Sequence, residues 1–164
     1  MKVLITMMGR STWGLFNAVW ADIRERDYLP DRVHVLTAGC DREAAEQAAK
    51  MLRILLHEHG SPAEVRLEVI DEENMKQVST SVRRIVEEER RQGHTVALDV
   101  TPGKKEVVLG TLISGPRHSY DKVFYLHIET LKHADRPYVE IPLEAQHSHD
   151  ILQEILGSQA GEGK

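Results

Sequence analysis

The sequence has a single cysteine, Cys40, among 164 residues. That excludes an internal disulfide and any zinc site built from several cysteines, and it fits a reducing cytoplasm. No apolar run approaches the ~20 residues needed to span a bilayer, and the amino-terminal KVLITMM is too short and wrongly flanked for a secretory signal. The expectation is a soluble cytoplasmic protein with no membrane partner. Positive charge is not in excess either. A formal net charge of -5 and a pI of 6.0 argue against a general binder of duplex nucleic acid, which presents a basic face. Any phosphate site must therefore be local.

Familiar catalytic and nucleotide motifs are missing as well. Gly9 and Gly14 frame GRSTWG, but Leu15 and Phe16 stand where a Walker A sequence needs lysine and serine or threonine. No GxGxxG follows the first strand, so NAD and FAD have little support, and no GxSxG elbow marks an esterase or protease. His147 and His149 lie near the tail without a third ligand, so neither a metal nor a cofactor is expected.

What is present is a regular alternation. Strand-type runs at Lys2–Met7, Val33–Thr37, Val65–Val69, Val96–Val100 and Val123–Ile128 alternate with helical spacings. Leu15, Phe16, Val19, Trp20 and Ile23 mark a first helix; Ala44, Ala48, Met51, Leu52 and Leu55 a second, capped by Asp41; Met75, Val78, Val82, Ile85 and Val86 a third, with EEERR at 87–91 facing water. Tyr138–Leu143 reads as a sixth strand, placed at a sheet edge by Pro142 and joined to the fifth by a hairpin-like loop over 129–136. A short helix with Ile151, Leu152, Ile155 and Leu156 ends a single domain over 1–157, followed by a disordered tail over 158–164. The fold class is α/β, a Rossmann-like three-layer sandwich with a mainly parallel sheet of order 3-2-1-4-5 and an antiparallel edge strand 6. That order makes strands one and four neighbours across the switch point where ligands bind.

Two turns then meet at that point. In DVTPGKKEVV, residues 99–108, Thr101 suits an N-cap, Pro102 the first helical position, and Gly103 leaves room for backbone amides to approach an anion. Lys104 and Lys105 fall in the first helical turn, where each cation costs about 0.3–1 kcal/mol against the helix dipole. Either they are solvated surface lysines or an anionic ligand compensates them. The first turn adds Gly9, Arg10, Ser11 and Thr12, and Thr37 ends the second strand. Ser11 reads as a helix cap or a ligand contact, Thr37 as a strand end or a ligand contact, and Asp99 as a brace for its turn or part of the site. The apolar helix carrying Val107, Val108, Leu109, Leu112 and Ile113, with small residues Gly110, Ser114 and Gly115, suits either burial within one subunit or a dimer interface.

The D-V-T-P-G-K-K turn resembles the motif of CRISPR-associated Rossmann fold (CARF) domains, with Asp99, Thr101, Gly103 and Lys105 in the motif positions. Pro102 replaces a common glycine and Lys104 a common small polar residue. The turn Gly9–Thr12 is similar to that family's strand-one loop. The resemblance implies a homodimer that binds a cyclic oligoadenylate, with Gly9, Arg10, Ser11, Thr12, Thr37, Asp99, Thr101, Gly103, Lys104 and Lys105 as binding positions. It also implies metal-independent ring opening by attack of a ribose 2′-hydroxyl, with Lys104 or Lys105 stabilising phosphorane charge and Ser11 holding the ribose or phosphate. His118, just beyond the fourth helix, reads as a core or surface histidine or as a candidate base. A sensor without turnover and an ordinary mononucleotide-binding module are the other readings.

Overall fold

Continuous apolar runs become strands here because both faces of the sheet are covered, which leaves no polar side to alternate with. The computed structural model describes residues 1–40, 42–114 and 120–159. The strands are β1 (Lys2–Met7), β2 (Arg32–Ala38), β3 (Glu64–Ile70), β4 (Thr95–Asp99), β5 (Lys122–Ile128) and β6 (Gln146–Asp150). The helices are α1 (Thr12–Arg26), α2 (Arg42–Glu58), α3 (Met75–Arg91), α4 (Lys105–Ser114) and α5 (Ile151–Gln159). One sheet of order β3-β2-β1-β4-β5-β6 results, parallel except for the β5–β6 pair. The expected order and the antiparallel edge are both observed.

Successive residues of a strand face opposite layers, and β1 shows it directly. Leu4 packs with Leu15 and Val19 of α1, Leu52 and Leu56 of α2, and Phe124 of β5. Ile5 and Met7 face the other way, onto Val78, Val82 and Ile85 of α3 and Val107 of α4. Ala97 and Leu98 of β4 divide in the same manner. Ile151 and Leu152 of α5 join the second layer.

Four expectations need correcting. The sixth strand is not Tyr138–Leu143; 3-10 turns at Tyr138–Glu140 and Leu143–Ala145, separated by Ile141 and Pro142, occupy that region. The true β6, QHSHD, has no apolar residue to betray it. Its inward side chains are Gln146, Ser148 and Asp150, each buried and each bonded: Gln146 Nε2 donates to the carbonyls of Tyr138 and Ile141, Ser148 Oγ to Asp22, and Lys122 Nζ donates to Asp150. Secondly, α4 starts at Lys105, not at Pro102. Residues 101–103 form a bent loop, and the Lys104 carbonyl takes the first helical hydrogen bond, from Val108 N at 3.0 Å. Thirdly, α5 runs to Gln159, two residues into the stretch expected as tail. The expectations for Asp41, Gly115, His118 and 160–164 fall outside the described residues.

The fourth concerns EEERR. Glu87, Glu88 and Arg91 are exposed, but Glu89 is buried. Its carboxylate accepts two hydrogen bonds from Arg32 Nη1, at 2.8 and 2.9 Å, and lies 2.9 Å from His34 Nε2 and 2.7 Å from His94 Nδ1. Burial opposes its ionisation, but the hydrogen bonds from His94, His34 and Arg32 outweigh it and hold the carboxyl at about 2. A group depressed in this way contributes stability above its unfolded pKa and loses it as pH falls through the folded value. Stability should therefore decline between about pH 5 and pH 2. Glu89→Ala, measured by chemical denaturation at neutral pH, should cost about 3 kcal/mol, because it takes a buried acceptor from His94, from Arg32, which keeps only Glu64, and from His34, which keeps only Glu68. It should also flatten that acid decline.

Candidate functional site

β1 and β4 are paired in parallel register from Lys2 opposite Thr95 to Ile5 opposite Leu98, so their carboxyl ends sit side by side. The chain leaves both strands at one edge. Thr6 Oγ1 donates to Asp99 Oδ2 at 2.9 Å, tying the two strand ends together. The other Asp99 oxygen accepts from Thr101 N at 2.9 Å, which turns the backbone sharply out of β4. Asp99 is fully buried, and burial, only partly offset by the bonds from Thr101 and Thr6, raises its carboxyl to about 6. Thr101 does not cap α4. Its hydroxyl accepts from Leu126 N at 2.8 Å, while Val100 N donates to the Phe124 carbonyl at 2.9 Å, pinning the turn to β5.

The two turns touch. A Cβ added to Gly9 would lie 3.0 Å from Gly103 N, and one added to Gly103 would overlap the Met7 side chain. Gly103 also has φ +104°, a conformation that only glycine adopts without strain. Between and above them lies a cleft of about 810 Å³. Gly9, Arg10 and Ser11 line it from the first turn, Thr101, Gly103, Lys104 and Lys105 from the second, and Thr37 from the end of β2. Ser11 stands at the N-cap position of α1 but makes no side-chain capping bond, so its hydroxyl is not committed to the helix. Thr37 Oγ1 donates to the Ala38 carbonyl at 3.2 Å.

Two predicted positions do not line the cleft. Asp99 is sealed beneath it and acts as the brace of the second turn, one of the two readings open from the sequence. Thr12 begins α1 and is half-buried, outside the lining.

Charge in the cleft is mixed. Arg10 and Lys105 are exposed and have no ion-pair partner among the described residues. Lys104 is held at 2.6 Å by Glu72, in the loop between β3 and α3, and this carboxylate pushes the ammonium pKa up. Glu72 and Cys40 were not anticipated as lining residues. A signal existed, since every parallel strand of this order delivers its following loop to the same edge, which brings Asp71, Glu72 and Glu73 there too. No group of three His, Cys, Asp or Glu side chains placed to hold a metal occurs among the described residues. No helix among them is long and apolar enough to cross a membrane.

This is a Rossmann-like domain with the fold of CARF domains. It aligns with a type III CRISPR defence DNA nuclease activated by cyclic oligoadenylate at TM-score 0.58 and 19% identity, over 77% of this chain and 19% of the other. Can2 from Sulfobacillus thermosulfidooxidans, in complex with cyclic tetra-adenylate, aligns at 0.54 and 21%, over 76% and 32%. Enterococcus italicus Csm6, bound to cyclic hexa-2'-fluoro-hexa-dAMP, aligns at 0.56 and 16%, over 100% and 40%. The chain thus spans 19% to 40% of these proteins' lengths, and the likeness is one of fold. No protein-family model matches the chain, and no curated protein matches its sequence.

Gly103→Ala should disturb the cleft and the fold together. With both a positive φ and the Met7 overlap against it, the substitution should destabilise by about 2 kcal/mol, read as a lowered denaturation midpoint.

Proposed function

We propose that the cleft binds a cyclic oligoadenylate, of four or six AMP units, across the two-fold axis of a homodimer. The observation that carries this reading is the meeting of the two turns, which sets Arg10, Lys104 and Lys105 around one cleft at the carboxyl edge of the sheet. Two proteins of the same fold were solved with cyclic ligands of this kind, one with cyclic tetra-adenylate and one with cyclic hexa-2'-fluoro-hexa-dAMP. Helix starts, backbone amides and cations together are a favourable anion site, and a two-fold pair of clefts complements a ring with matching symmetry. The apolar side of α4 supports the dimer: Leu109, Leu112 and Ile113 are 57%, 40% and 79% exposed, so a single subunit does not bury them.

Slow ring opening is a second reading, favoured by the uncommitted Ser11 hydroxyl at the cleft wall. In that reaction a ribose 2′-oxygen attacks the adjacent phosphorus and gives up its proton. The bond from phosphorus to the 5′-oxygen breaks, the 5′-oxygen takes up a proton, and a 2′,3′-cyclic phosphate remains. The chain's part is positioning and charge stabilisation. Ser11 would orient the ribose or phosphate, and Lys105, which has no carboxylate partner among the described residues, is better placed than Lys104 to meet developing negative charge.

Incubation with cyclic tetra-adenylate and cyclic hexa-adenylate, followed by chromatography of the products, tests both readings. Retention of an intact ring supports a sensor; linear products with a cyclic phosphate support cleavage; no retention of either ring overturns the proposal. Replacing Lys104 and Lys105 together by alanine should weaken retention about tenfold or more and lower the salt slope of binding by about one to two. Ser11→Ala should slow any cleavage more than it weakens binding.

A further inference from the structure

Glu72 is out of place in a cleft for phosphates. Its side chain is only 14% exposed, and its loop is fixed by Asp71 N donating to Gln77 Oε1 at 3.0 Å, Glu73 N to Asp71 Oδ1 at 3.2 Å, and Gln77 N to the Asn74 cap at 3.1 Å. The carboxylate is therefore presented to the cleft by a hydrogen-bonded turn at the start of α3. Glu106, the other acidic lining residue, has an ordinary reason for its place: it is exposed in the first turn of α4, where the helix dipole favours a carboxylate. Glu72 is in no helix and bridges no two elements of the core. Its one ion-pair partner among the described residues is Lys104, through Oε2.

A site for a bare polyanion would be better without this group, since it both neutralises a cation and repels phosphate. Glu72 lines the cleft, and with Oε2 taken by Lys104 its second oxygen is a further acceptor, since an ionised carboxylate can only accept. We propose that Glu72 is a specificity-determining residue, whose carboxylate, steadied by Lys104, accepts a hydrogen bond from a neutral donor of the nucleotide. The donor is the exocyclic amine of the base or a ribose hydroxyl. The carboxylate thus admits nucleotide rings that bring a donor along with their phosphates and disfavours inorganic polyphosphate, which brings only charge. This inference rests on the reading of the cleft as a cyclic oligoadenylate site.

The test compares wild type, Glu72→Ala and Glu72→Gln for binding of cyclic tetra-adenylate, its inosine counterpart, its 2′-deoxy counterpart and tripolyphosphate. In Glu72→Ala, tripolyphosphate should bind several-fold more tightly, because Lys104 is released. Cyclic tetra-adenylate should bind about tenfold more weakly, the usual size of a hydrogen bond to a charged group. Glu72→Gln, which keeps one acceptor, should fall between. If the amine is the donor, wild type alone discriminates against the inosine ring; if the ribose is, wild type alone discriminates against the 2′-deoxy ring. Equal tightening of both ligands in Glu72→Ala reduces Glu72 to a counter-ion and overturns the inference, as does no change in either. Failure of wild type to retain cyclic tetra-adenylate instead overturns the reading of the cleft, and this inference with it.

Discussion

A parallel sheet sends every strand-to-helix turn to one edge, and where the strand order reverses, the chain leaves two neighbouring strands in opposite directions. In this protein those strands are β1 and β4, and the cleft exists because their ends are held together. Asp99 does the holding. One of its oxygens takes the Thr6 hydroxyl and the other the Thr101 amide, so a single buried carboxylate joins the strand ends and starts the second turn. The close passage of Gly9 over Gly103, with Met7 beneath, follows from that geometry and leaves no space for side chains.

Electrostatics divide the molecule into two ends with different work. At the amino end of β2, Arg32, His34 and His94 match the buried Glu89 carboxylate with donors, and the network runs on to the surface through Glu64 and Glu68. This is structural polarity. At the carboxyl edge the pattern is open: Arg10 and Lys105 face solvent, and Lys104 is shared with Glu72. Charges left available over a concave surface suit an anionic ligand, and in the proposed reading the one carboxylate beside Lys104 selects which ligand enters.

Much of the fold was legible from the chain because two periodicities carry it. Uniform apolar strands such as VLITM and amphipathic helices such as α2 and α3 follow from burial alone. β6 was not legible, because its inward residues Gln146, Ser148 and Asp150 are polar and are paid for by partners far away in sequence, among them Asp22 and Lys122. Glu89 was hidden for the same reason. In a run of five charges nothing local distinguishes the one that faces inward, toward an arginine 57 positions earlier. At the site, the glycines, Ser11 and the lysines were recognisable as turn and helix-start residues, whereas Glu72 was not, since its role depends on which loop lies opposite.

By itself, then, the order of residues determined the first five strands and the helices, their alternation, the switch point and the two turns that meet there, because short-range periodicity and turn chemistry are written locally. Tertiary structure alone decided that Asp99 is a brace below the cleft and not part of its wall, that Lys104 carries a carboxylate while Lys105 has none among the described residues, and that α4 begins three residues after Pro102. Those outcomes turn on distances between segments remote in the chain, and burial and pairing are properties of such distances.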